Sequence, residues 1–288
     1  LMTVGVLAVS TSGPLIAATA APALAIAFWR NGFGTLALLP VVLARHVGEL
    51  RRLTRREWLL MLTSGVLLAG HFGTWVPSIT LTTVASATAL TCAQPVWAGL
   101  LARAAGHRVP GRAWVGIAVA FLGVLVLTGV DFSVSTRALG GDLLALAGGA
   151  FAAGYMVVGG EVRRSVSTTA YTFVCYGWCA VLLAVTCLVA GADLGGYPAE
   201  SWVKLLALTA GAQLLGHSVF NRVLKTTSPT VASLALLFET PGAAVIAALW
   251  LGQVPPLAAV PAAALLLAGV AVVVTARTPE VAPSVPME

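Results

Sequence analysis

Ten long apolar runs, each parted from the next by a short polar connection, take up nearly the whole chain. They predict helices near residues 2–20, 22–44, 57–80, 83–103, 112–130, 139–160, 168–190, 201–224, 228–252 and 257–275. Each is close to the roughly 20 apolar residues that a helix needs to cross the hydrocarbon of a bilayer. The pattern describes an all-α, polytopic membrane protein with ten transmembrane helices. Two prolines interrupt it, Pro95 in the fourth span and Pro241 in the ninth. A proline inside a helix removes a backbone hydrogen bond and kinks the chain.

The pattern also repeats. Ala69-Gly70-His71, Val84-Ala85-Ser86, Pro95, Gly106 and Gly123 return as Leu215-Gly216-His217, Val231-Ala232-Ser233, Pro241, Gly252 and Gly269, most of them 146 residues on. Five spans per copy is an odd number, so the second copy enters the membrane from the opposite side. The chain divides into a first five-helix repeat over 1–134, a second, inverted five-helix repeat over 135–276, and a short cytoplasmic tail over 277–288. The junction falls in the polar-leaning stretch Asp131 to Gly141. Inverted repeats are an architecture of secondary transporters, and breaks at matching places in two halves, here Pro95 and Pro241, point to a binding site near the midplane.

Composition and charge agree with a chain that lives in lipid. Hydrophobic residues make up 59% of it and charged residues only 9%, against about 25% charged in a soluble domain. A formal charge of +6 does not indicate nucleic acid as a partner, because such a face needs its Lys and Arg clustered on one folded surface. Here they sit at the ends of spans. The loop carrying Arg103, Arg108 and Arg112 becomes the uncharged Gln253-Val254-Pro255-Pro256 in the second copy. Inversion requires that asymmetry, since Lys and Arg loops stay cytoplasmic. The expected location is the inner (plasma) membrane, multi-pass, with both termini cytoplasmic. The first apolar run, which opens at Leu1, lacks the basic start of a secretory signal. All four cysteines fall in predicted spans, which argues against an extracellular disulfide framework. Cys175 and Cys179 lie one turn apart without a His or acid to complete a metal site, so no metal and no cofactor is expected.

Polar residues inside spans are the candidates for function. Glu239 lies near the middle of the ninth span, where a carboxylate costs at least about 2.5 kcal/mol and faces the bundle interior or a wet cavity. It is read either as a substrate-contacting or coupling acid, or as the structural partner of Arg30, the one cation well inside a span. His71 and Trp75, four residues apart, share a face of the third span, and Gln213, His217 and Asn221 share one on the eighth. The two histidines are repeat equivalents. Gln94, beside Pro95, is a further costly polar group. His71, Trp75, Gln94, Gln213, His217, Asn221 and Glu239 therefore form the candidate substrate-binding set, with Arg30, Pro95 and Pro241 in structural or coupling roles. Trp97, Tyr155, Tyr176 and Trp178 are read as interfacial-belt or packing residues ahead of cavity walls.

With these residues in hand, the ten-span duplication resembles the EamA-type transporters of the drug/metabolite transporter superfamily over essentially its whole length. Phe28-Trp29-Arg30 is similar to that family's Arg on the second helix. Pro95 to Gly106 with Gly116 and Gly123, and Pro241 to Gly252 with Gly269, are similar to its proline, apolar run and glycine-rich last helix. The chain departs from the pattern where His107 and Gln253 stand in place of the usual acid, and where Ser10-Thr11-Ser12-Gly13-Pro14 replaces an expected Trp-Gly. The resemblance implies alternating-access transport of small metabolites, amino acids or amphipathic drugs, commonly without a cofactor. An intramembrane enzyme acting on lipid would need a nucleophile with its base or a metal cluster, and neither is present as a motif. A channel usually repeats its pore by oligomeric symmetry. With no phosphate-binding Gly-rich loop, energy is expected from a gradient, protons included. The expected partners are a small-molecule substrate and the lipid bilayer, with a homodimer left open.

Overall fold

A computed structural model of the chain describes residues 2–216 and 234–276. All regular structure in these residues is helical: α1 (Met2–Ser10), α2 (Ser12–Ala18), α3 (Ala23–Arg45), α4 (Val47–Arg52), α5 (Arg55–Ile79), α6 (Val84–Thr91), α7 (Gln94–Ala104), α8 (Gly111–Val134), α9 (Thr136–Val162), α10 (Thr168–Val189), α11 (Ala199–Leu208), a π-helical segment Thr209–Gly216, α12 (Glu239–Leu251) and α13 (Ala259–Ala276). Eight helical stretches among the described residues are long and apolar enough to cross a membrane, α6 with α7 counted as one. The first predicted span is the shorter apolar stretch Met2–Ala18, broken at Thr11. The eighth is described only as far as Gly216.

Helix starts follow local chemistry. Thr54 closes a capping box: it accepts from the Glu57 backbone N–H while the Glu57 carboxylate accepts from the Thr54 N–H, which satisfies two donors that a helix start leaves open. Thr83, Ser135 and Ser167 cap α6, α9 and α10 by the simpler one-way bond, their hydroxyls accepting from the N–H groups of Ser86, Arg137 and Ala170. Gly106 and Gly252, repeat equivalents, both take left-handed backbone angles (φ 85° and 66°) where the fourth and ninth spans end. Only glycine takes that conformation without a steric cost.

Two sequence expectations change here. The junction at Asp131–Gly141 is not a loop: α8 runs on to Val134 and α9 begins at Thr136, so Ser135 alone joins them. Ser133, Ser135, Thr136 and Arg137 there stay exposed, whereas Asp131, at 2% exposed, turns inward to the buried Asp142 of α9. Nor do the two prolines sit inside continuous helices. The fourth span breaks at Cys92–Ala93 and the ninth at Leu237–Phe238, so that Pro95 and Pro241 fall in the first turns of α7 and α12. Proline is tolerated there because the first N–H groups of a helix have no partner within it.

The halves interleave instead of forming two separate bundles, and their contacts come in mated pairs. The third span packs on the sixth (α5 on α9) and the eighth on the first (π segment on α1); the fourth packs on the sixth and the ninth on the first. The second packs on the seventh, the fourth on the ninth, and the fifth on the tenth (α3 on α10, α6 on α12, α8 on α13). A two-fold relation between the repeats produces this set. At α8 and α13 it is visible residue by residue. A Cβ on Gly123 would strike the Leu266 backbone, and one on Gly269 would strike the Ala120 backbone; both pairs differ by the 146-residue repeat offset. Gly116 faces Val273 and Gly123 faces Leu266, so the two helices run antiparallel, as inversion demands. Missing side chains let the backbones approach in the manner of small-xxx-small packing.

Candidate functional site

Aromatic residues set the rotation of α3. The Trp29 indole N–H donates to the Leu194 carbonyl at 2.9 Å, and its ring meets Trp202 edge-on at 5.0 Å. With Trp29 held against the connection between the seventh and eighth spans, the next residue, Arg30, turns into the protein interior, where it is 3% exposed. Its Nε donates to Gln213 Oε1 at 2.9 Å and its Nη1 to Ser12 Oγ at 3.4 Å. The guanidinium lies 4.3 Å above the Phe72 ring and 5.9 Å from that of Trp75, a cation–π arrangement that strengthens when desolvated. One buried cation thus ties the first, second and third spans to the eighth.

Gln213 reaches Arg30 from the π-helical segment. A π turn inserts extra width into a helix and is frequent at functional sites. Gly34 makes room for the amide, since a Cβ there would lie 2.8 Å from Gln213 Nε2 and 3.1 Å from the Tyr176 ring. Glu239 occupies the first turn of α12, the half-helix that begins at the break in the ninth span. It interacts electrostatically with Arg30, yet the two form no ion pair within 4.0 Å among those of the described residues. Beside it, Thr240 donates to Cys92 Sγ at 3.4 Å, joining the ninth span to the fourth.

Several buried polar atoms have no hydrogen-bond partner among the described residues: Ser10 Oγ, Asn31 Oδ1, Trp75 Nε1 and Thr88 Oγ1. Buried polar groups are nearly always partnered, by protein, water or ligand. A core that holds both open polar atoms and a buried cation suits a polar guest.

The sequence candidates separate as follows. Arg30, Trp75 and Gln213 come together, with Glu239 beside them. His71 stacks on Trp75 (5.6 Å between centroids, 11° between planes), and its Nδ1 lies 2.9 Å from the Gly148 carbonyl of the sixth span. Gln94 stands apart, since α7 packs on α8, α9 and α13. Pro95 and Pro241 start the half-helices. His217 and Asn221 lie outside the described residues. Ser12, Phe72 and Asn31 were missed, although Ser12 belongs to the Ser-Thr-Ser-Gly-Pro run that breaks the first span. Tyr176 turns inward beside Gln213, whereas Trp97 meets Phe121 edge-on away from the site. An open cleft of about 400 Å³ lies elsewhere, bordered by Thr80, Thr82, Arg137 and Gln253 from the ends of several spans.

A family model described as the EamA-like transporter family matches residues 1–129 and 139–275. No curated protein matches the sequence. A crystal structure described only as that of a protein has the same fold, with a TM-score of 0.66 and 20% identity over 94% of this chain and 95% of that one.

Proposed function

The chain belongs to the EamA-like transporter family, and from that premise we propose that it is a secondary-active transporter whose substrate is bound at Arg30 between the two repeats. It is a multi-pass membrane protein of ten spans, placed in the inner membrane with both termini cytoplasmic. The repeats cover 1–134 and 135–276. Transport proceeds by alternating access, and small metabolites bearing a carboxylate, amino acids foremost, are the substrate class.

The observation that carries this reading is the Arg30–Gln213 hydrogen bond, which crosses from the first repeat to the second in a core of unpartnered polar atoms. A carboxylate on the substrate would meet the Arg30 fork, which matches it in shape and charge. The N-terminal end of the half-helix α12 adds a positive dipole of the kind that receives anionic groups in transporters with broken helices. Glu239 is the acid that exchanges a proton or meets the substrate amine, and Trp75 and Phe72 supply the apolar wall.

Purified protein in proteoliposomes is expected to take up one or more radiolabelled amino acids saturably. Glu239→Gln and His217→Ala are expected to lower the rate at least tenfold while leaving elution and melting of the protein as in the wild type. Absence of saturable uptake across the panel, or full activity in Glu239→Gln, would remove the site assignment.

A further inference from the structure

One face of the protein is strongly basic at the level where spans leave the membrane. Arg45 ends α3, Arg51 and Arg52 end the short α4, and Arg55 and Arg56 open α5; Arg163 and Arg164 follow α9 directly. All seven are exposed. The two stretches come from different repeats, yet they form one patch, because Arg56 and Arg164 both pair with Glu161 at 3.1 Å.

The acids on this face are already engaged. Glu161 is shared by those two arginines. Glu49 accepts from the Ser167 backbone N–H at 2.6 Å and from its hydroxyl at 2.7 Å, and lies 2.8 Å from His46 Nδ1. Glu57 accepts from Thr54 and from the Ser165 hydroxyl at 2.6 Å. Arg45, Arg51, Arg52 and Arg55 have no acidic partner among the described ion pairs. Next to them Trp58, 37% exposed on the outer surface of α5, has the amphipathic ring favoured at headgroup depth. Leu50 and Leu53 pack inward against the core, which holds α4 against the protein with its arginines outward.

We propose that this patch is a docking site for anionic phospholipid headgroups of the adjoining leaflet, held by Arg51, Arg52 and Arg55 with Trp58 at the acyl boundary. Guanidinium groups bind phosphate with two parallel hydrogen bonds, and clusters of basic residues beside a span are drawn to anionic lipid. Because the patch crosses from the second–third to the sixth–seventh connection, bound lipid also braces the two repeats against each other on this face.

The test uses the full chain in nanodiscs and reads tryptophan fluorescence. In the wild type, brominated phosphatidylglycerol is expected to quench at least twofold more than brominated phosphatidylcholine at equal content, and the excess is expected to vanish in Trp58→Phe. The triple variant Arg51→Gln/Arg52→Gln/Arg55→Gln is expected to lose the excess while keeping quenching by phosphatidylcholine. Melting temperature should rise with phosphatidylglycerol content in the wild type, and soluble glycerol phosphate should not reproduce the rise. Equal quenching by the two lipids, an excess that persists in the triple variant, or full replacement by glycerol phosphate would overturn the proposal. Neither readout depends on transport, so failure here leaves the substrate site untouched.

Discussion

Single side chains decide whether the interior is a site or merely a core. Removing the amide in Gln213→Ala leaves the Arg30 Nε–H without its acceptor in a buried place, a loss of about 1–3 kcal/mol. The expected outcome is a melting temperature lower by several degrees in detergent, with Arg30→Lys also inactive because an ammonium cannot reproduce the guanidinium fork. Asp142 is a contrasting case. Both its carboxyl oxygens are buried, beside Asp131, Thr82 and Thr128. Asp142→Asn removes one acid of a buried pair of carboxyl groups while keeping the side chain's shape, and is expected to raise the melting temperature, which thermal unfolding would show. At the basic face, burial alone would raise the Glu49 carboxyl, but hydrogen bonds from Ser167 and the neighbouring His46 outweigh it and hold Glu49 below the ordinary carboxylate range. A depressed acid contributes stability above its unfolded value, and that contribution disappears as pH falls. Acid titration should therefore destabilise the wild type more steeply than Glu49→Gln between about pH 5 and 3. Arg30, Gln213 and Glu239 were legible as polar residues that lipid would not tolerate, and Trp75 as the aromatic one turn from His71. Ser12 and Phe72 were not, because a serine and a phenylalanine are unremarkable in a span until the fold sets a guanidinium against them.

At the scale of elements, breaks and close approaches carry the information. Pro95 sits in the first turn of α7, so Pro95→Ala is expected to cost about 0.4–1 kcal/mol through added freedom of the unfolded chain. A proline in a helix interior would give the opposite sign, a gain on replacement, and equilibrium unfolding in a mild detergent distinguishes the two. Gly269→Leu places a side chain where the Ala120 backbone already lies; at least about 1–3 kcal/mol of overpacking is expected, seen as loss of the monodisperse folded species. The same substitution at Gly129, which faces open space, should be tolerated. Hydropathy gave the extent of most spans to within a few residues. It could not foresee the π-helical turn at Thr209–Gly216, which depends on hydrogen bonds chosen in the packed state.

At the scale of the whole molecule, inversion has a direct test. Single cysteines placed at Arg52 and Arg108 are expected to react with an impermeant maleimide from one side of the membrane, and one at Leu194 from the other. Reaction of the first two from opposite sides would contradict the topology. The native cysteines give little background, since Cys175, Cys179 and Cys187 are buried and Cys92 is largely so.

What the amino-acid order determined by itself was an all-helical membrane chain and its duplication, because these follow from apolar run length and a repeated residue pattern, both local or additive along the chain. What only the tertiary structure decided was which spans meet. Interleaving of the halves, the α8–α13 crossing and the Arg30–Gln213 bond join residues far apart in sequence. Their geometry arises from close packing and the need to satisfy buried polar groups, neither of which is written in any one segment.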